Sequence, residues 1–244
     1  MIPLGSAIRE GRHEPVQGRR RSVANVRLRL PAMAARDGNE LIELQRQHRD
    51  CTRCVDAGLL DKAHPVFSGG RYRMLLVGQA PGPVEADVTR PFAGRAGRQL
   101  MRWMLRAGFA DEQDFRTRVF MTSMTTCFPG RLASGAGDRR PSAAEVRLCS
   151  SWLDGYLRLL QPRLILPVGT LALQRFVPGA RLDDVVGHAF DSGGRRVDEP
   201  AQGPVILPLP HPSGQSRWLN DPARLDRLET ALTVLRRLVD WADG

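Results

Sequence analysis

Met74-Leu75-Leu76-Val77-Gly78-Gln79-Ala80-Pro81-Gly82-Pro83, running on through Val84-Glu85-Ala86-Asp87-Val88-Thr89 to Arg90-Pro91-Phe92-Ala93-Gly94-Arg95-Ala96-Gly97, decides the fold. An apolar run stops at a glycine, a loop rich in Gly and Pro follows, and a helix begins near Gly97. This is a buried strand, a loop and a helix start, the arrangement in which open α/β sheets hold ligands at the carboxyl ends of their strands. The loop is too long for a plain connector. It carries one aromatic, Phe92, between Pro91 and Gly94, which reads either as a platform for a ligand or as a core side chain.

Outward from this stretch, strands alternate with helices. The run Arg71–Val77 predicts the first strand and Gly97–Ala107 a helix ended by Gly108. Val119–Met124 predicts a second strand, which leads through Thr125-Thr126-Cys127 into a basic, glycine-rich loop to Arg140. Ser142-Ala143-Ala144-Glu145 fits a capping box opening a helix to about Leu160. Arg163–Val168 predicts a third strand, although Pro167 is unusual inside a sheet, and a short helix follows to Phe176. Val177–Gly203 is a polar excursion with a candidate hairpin at Ser192-Gly193-Gly194. Pro204–Pro208 predicts the fourth strand and Asp221-Pro222 the start of the last helix. Upstream, Asn39 can cap a helix to Arg49. The expected fold is a three-layer α/β/α sandwich around a central, mostly parallel, four-stranded sheet. Loops after Val77, Ser123 and Leu207 then converge on one crevice.

The 244 residues suit one domain at 39–244 plus a basic arm at 1–38, which contains Arg19-Arg20-Arg21 and reads as a phosphate-binding or merely solvated tail. The chain has a net charge of +10, carried almost wholly by arginine, with Lys62 its one lysine. Such a balance suits a polyanion. No apolar run is long enough to span a membrane and the start has no apolar signal core. The expectation is a cytoplasmic monomer without a membrane partner. There are four cysteines, Cys51, Cys54, Cys127 and Cys149. The pair Cys51-Thr52-Arg53-Cys54 with two distant singles is a candidate thiolate site for zinc or an iron–sulfur cluster; small buried residues are the plainer reading.

Together the motifs carry a resemblance. Gly78-Gln79-Ala80-Pro81-Gly82, Glu85 and Arg90–Gly97 resemble the first motif of the iron–sulfur branch (family 4) of the uracil-DNA glycosylase superfamily. The strand Val119–Cys127 resembles its second motif, His211-Pro212-Ser213 its third, and the cysteine pattern its [4Fe–4S] ligand set. The similarity covers about Glu40 to Trp241. It implies a monofunctional DNA glycosylase acting on DNA with a damaged base. Phe92 would stack on a flipped base, with Gly78, Ser123 and Ser213 around it, and His211 would stabilise the leaving base. Arg217 would meet phosphate, and Trp218 would either wedge into DNA or pack.

Two positions depart from the family pattern. Gln79 stands where the family usually has a water-activating glutamate, so Glu85 and Asp87 are the nearest candidate bases, or simply solvated charges. Ser123 stands where the family has asparagine, which widens the candidate substrates from uracil to hypoxanthine and xanthine. The Gly130–Arg140 loop has no histidine, so the covalent attachment to DNA made by a related branch is not carried over. Competing readings are a non-catalytic lesion-sensing module on the same fold and a nucleotide-binding enzyme. The latter lacks a Gly-Lys-Ser/Thr loop.

Overall fold

A computed structural model describes residues 35–70, 72–200, 203–214 and 216–243. The basic arm expected at 1–38 lies almost entirely outside these residues.

In chain order the elements are α1 (Ala35–Arg49), α2 (Arg53–Asp56), β1 (Met74–Gly78), α3 (Pro83–Val88), α4 (Arg95–Arg106), α5 (Glu112–Arg118) and β2 (Val119–Ser123). There follow α6 (Ala143–Leu160), β3 (Leu164–Pro167), α7 (Thr170–Phe176), α8 (Leu182–Val185), β4 (Ala189–Phe190), β5 (Arg196–Val197), β6 (Val205–Ile206) and α9 (Pro222–Asp243), with a 3-10 turn at Arg217–Asn220. The sheet runs β2-β1-β3-β6-β4-β5. Strands β2, β1, β3 and β6 are mutually parallel, and β4 pairs antiparallel with both β6 and β5.

The expected parallel four are therefore contiguous, from the β2 edge to β6, and β4 and β5 extend the sheet beyond β6 to six strands rather than four. The addition is the hairpin at Ser192–Gly194. Asp191 Oδ1 accepts from the Gly193 and Arg195 amides, each at 2.9 Å, and closes the turn. Two-residue strands leave too short a pattern to read as sheet.

The sandwich follows from alternation along β1. Met74 and Leu76 face a core with Leu100, Trp103, Met104, Phe115, Leu232 and Leu235. Leu75 and Val77 face the other core, with Trp152, Leu153, Tyr156, Ile165 and Leu173. Both faces are covered, so the strand reads as one continuous apolar run. Pro167 is accommodated at the end of β3, where its carbonyl still accepts from Leu209 N at 2.9 Å. Among the described residues no helix is long and apolar enough to cross a membrane.

Two helix starts shift and one short helix is added. α1 begins upstream of the expected cap Asn39, and α4 begins at Arg95 rather than Gly97. The first loop contains α3, with Pro83 in its first turn, where a missing N–H costs no helical bond.

Candidate functional site

The carboxyl ends of the parallel strands bring the first loop, the end of β2 and the segment after β6 together. Gly78 closes β1, opposite Ser123 in register. A Cβ placed on Gly78 would lie 3.2 Å from Ser123 Oγ and 3.3 Å from Phe92 Cζ, so the hydroxyl and the ring edge converge on the bare glycine.

Phe92 reaches this point through a backbone that resists it. Its φ is +52°, unusual for a bulky residue. Two contacts hold it there. Arg116 on α5 donates to the carbonyls of Pro91 (2.9 Å) and Phe92 (3.2 Å). Gly97 lets that Phe92 carbonyl pack on α4, since a Cβ there would sit 1.8 Å from the oxygen. Nothing in the local sequence marks Arg116 for this role; the signal is purely spatial.

Glu85 spans the same loop. One carboxylate oxygen accepts from Gly82 N at 3.2 Å and the other from Gly94 N at 2.7 Å. Both oxygens are thus engaged by backbone, which makes Glu85 a clasp between the two ends of the loop. Asp87 is exposed on α3. Gln79 is half-buried, and its carbonyl accepts from Thr125 N at 3.3 Å.

His211 follows the short bridge that pairs Leu209 with Val168. Gly169, at φ +83°, lets the ring approach: a Cβ there would lie 3.3 Å from His211 Cβ and 3.4 Å from Cδ2. The Ser213 amide donates to His211 Nδ1 at 3.2 Å, and Ser213 Oγ lies 3.0 Å from the same nitrogen. Nδ1 is therefore an acceptor and the ring proton sits on Nε2. Burial lowers the His211 pKa below the usual 6.5, and the charge of Glu85 opposes that shift without reversing it. The ring is a neutral imidazole that presents an N–H donor.

Trp218 is not offered to a ligand. It is buried in the core, and its indole N–H donates to Asp183 at 2.8 Å. Its face and its N–H are thus both engaged within the protein. Arg217 starts the 3-10 turn, and its side chain lies outside the described residues. A basic hairpin flanks the first loop instead. The backbones of Arg131 and Asp138 form an isolated antiparallel bridge, and a Cβ on Gly82 would lie 3.5 Å from Asp138 Oδ2. Arg131, Leu132 and Arg140 are exposed.

Cys51, Cys54, Cys127 and Cys149 line a single pocket with Thr125, Thr126, Leu148 and Glu145. Burial pushes the Cys54 thiol up to about 11 and the Cys127 thiol up to about 12. Alone, these groups stay protonated. Yet one donor is aimed at sulfur as acceptor and a hydroxyl stands beside another. Trp152 Nε1–H donates to Cys51 Sγ at 3.3 Å, and the Thr126 hydroxyl lies 3.6 Å from Cys149 Sγ. Thr125 Oγ1 is a buried side-chain oxygen without a partner, a defect that ordinarily costs about 1–3 kcal/mol. Desolvated sulfurs, an indole N–H aimed at one of them and an unpartnered hydroxyl fit a metal group bound by thiolates. Among the described residues no three His, Cys, Asp or Glu side chains form a group that could hold a metal ion directly. The four sulfurs stand around the pocket rather than on one point.

Glu145 closes the pocket edge. It is buried, pairs bidentately with Arg139 at 2.8 and 2.6 Å, and caps α6 by accepting from Ser142 N. The Arg139 guanidinium holds its carboxyl below the usual carboxylate value.

Comparison with known proteins agrees with this geometry. The family model described as the uracil DNA glycosylase superfamily matches residues 65–236. A type-4 uracil-DNA glycosylase of Thermotoga maritima is 27% identical over 207 residues, covering 81% of this chain and 96% of the relative. One of Pyrobaculum aerophilum is 27% identical over 157 residues, 61% of this chain and 74% of the relative. A type-5 uracil-DNA glycosylase from the same organism is 32% identical over 110 residues, 41% of this chain and 46% of the relative. The chain belongs to the uracil DNA glycosylase superfamily.

Proposed function

We propose that this member of the superfamily is a monofunctional DNA glycosylase that hydrolyses the N-glycosidic bond of uracil or another deaminated base, the first step of base-excision repair. The observation that carries it is His211, whose Nδ1 is engaged by Ser213 so that Nε2–H is left to donate. A base extruded from the stack would lie against Phe92, with the Ser123 hydroxyl as donor or acceptor at its edge and the Gly78-Gln79 backbone beneath. As the C1′–N bond breaks, negative charge grows on the base, and the Nε2–H of a buried neutral imidazole stabilises it in a site of low dielectric. Water forms the new C1′–O bond and loses its proton to solvent. Gln79 can orient that water through its amide; it cannot take the proton. We assign Glu85 to bracing the loop, since backbone amides hold both its oxygens. Type-4 relatives with this name support DNA as the partner, and exposed Arg131 and Arg140 suit its phosphates.

The four cysteines are proposed to hold a [4Fe–4S] cluster. A cluster keeps metal between its ligands, which suits sulfurs spread around a pocket better than a single zinc does. When bound it would supply a cross-link between the segment before β1, the end of β2 and helix α6. The unpaired cysteines suit a reducing compartment, and a cytoplasmic monomer is the proposed setting, with 39–244 as the catalytic unit and 1–38 as a basic arm.

The test is base release from single-stranded and paired DNA carrying uracil, hypoxanthine or xanthine. Turnover on at least one, abolished by His211→Ala, is expected; none, from protein with full iron content, overturns the reading. A second reading has its own observation: Gln79 is not a base and Glu85 is fully engaged, which favours a lesion-binding module. That protein would bind damaged DNA with a steep salt dependence and release no base.

A further inference from the structure

His48 is fully buried, with no exposed surface. Its ring is clamped between Phe67, at 4.4 Å and 3° between planes, and Trp152, at 4.5 Å and 8°. Nδ1 lies 2.8 Å from the Tyr156 hydroxyl and Nε2 lies 2.8 Å from Thr126 Oγ1. Thr126 Oγ1 in turn lies 3.6 Å from Cys149 Sγ. None of these groups touches the base pocket, and a buried imidazole with two hydroxyl partners is more than packing requires.

We propose that Thr126 and Trp152 are positioning residues for the metal group, each donating a hydrogen bond to a ligand sulfur, and that Tyr156 and His48 set the direction of the Thr126 hydroxyl. This rests on the cluster reading above. A metal-bound Cys149 is a thiolate, which accepts only. The Thr126 proton must then point to Cys149, so its oxygen accepts the Nε2–H of His48, and Nδ1 accepts from Tyr156. The chain Tyr156–His48–Thr126–Cys149 then has one self-consistent order of donors. On the opposite side Trp152 Nε1–H reaches Cys51 Sγ at 3.3 Å. The same indole that clamps His48 thus binds a second sulfur, and the two bonds form one unit. Hydrogen bonds of this kind draw charge from the thiolate and fix its lone pairs, and losing one typically lowers metal affinity about 10- to 100-fold.

The full chain is purified without oxygen, its iron and sulfide are measured, and two quantities are followed: the rate of iron transfer to an excess of chelator and the position of the visible sulfur-to-iron charge-transfer band. Thr126→Val is expected to release iron about 10-fold faster with a displaced band, and Thr126→Ser to restore both. Tyr156→Phe and Trp152→Phe should move both quantities in the same direction by less. A folded, iron-loaded Thr126→Val with wild-type release rate and band overturns the proposal. Should Thr126→Val fail to fold, Trp152→Phe, which removes the N–H and keeps an aromatic ring, decides by the same two readouts. A wild-type protein that carries zinc or no iron overturns the cluster reading and this proposal together. Iron in the wild type with no response in the variants overturns this proposal alone.

Discussion

The crevice at the strand ends and the cysteine pocket are built on opposite plans. In the crevice, backbone does the positioning. Gly97 and Arg116 force Phe92 into a left-handed conformation, Gly169 makes room for His211, and the Ser213 amide orients it. In the proposed function the groups at the end of this framework, the Phe92 ring and Nε2 of His211, meet the base. Around the cysteines, side chains do the positioning: a stacked imidazole, an indole N–H and a buried carboxylate pair. The first region can recognise something that arrives and leaves; the second suits something that stays.

That contrast can be broken by changing one region and reading the other. The largest effect is expected from His211→Ala, a loss of about 100- to 1,000-fold in kcat with thermal stability and iron content unchanged; a parallel loss of iron would show the regions to be one. Next is Glu145→Ala, which removes the Glu145 half of the α6 capping box and leaves Arg139 without its buried partner. Chemical denaturation should show about 3 kcal/mol lost, while kcat per folded molecule stays near wild type. Phe92→Ala removes the stacking surface and should weaken kcat/KM by about 1–3 kcal/mol, measured on single-stranded substrate. The smallest effect is in pH. Because the His211 pKa lies below 6.5, kcat/KM should stay flat down through that value and fall only in more acidic buffer. The unfolded chain takes up this proton at the ordinary value, so the contribution of the neutral ring to stability is complete above 6.5 and is lost as pH falls through the folded-state pKa. A fall in activity centred on 6.5 would mean the ring is not shielded as described.

The sequence made the crevice legible because its parts are local. The apolar run Met74–Val77, the glycines and prolines after it, the capping box at Ser142 and His211-Pro212-Ser213 all act within a few residues of themselves. What escaped reading was assembled across the chain. Arg116 looks like any surface arginine until α5 folds beside Phe92. His48, Thr126 and Tyr156 come from three separate elements, and nothing near His48 in sequence marks it as wholly buried. The partner of Trp218 is also remote: Asp183, 35 residues upstream, takes its N–H. Helix α3 gave no periodic pattern long enough to weigh, and the hairpin at Ser192-Gly193-Gly194 was readable while its place in the sheet was not.

The Glu85 clasp gives the first loop a seam. Gly82 and Gly94 are tied through one carboxylate, and Arg116 separately anchors the carbonyls of Pro91 and Phe92. Between these fixed points, Asp87–Arg90 is exposed. Even this exposed stretch is stitched to the seam: Thr89 ends α3 in a left-handed turn, and the Thr89 and Arg90 amides both donate back to the Glu85 carbonyl. The loop is therefore a closed buckle, in which an insertion at its outer edge would loosen the residue that fastens it.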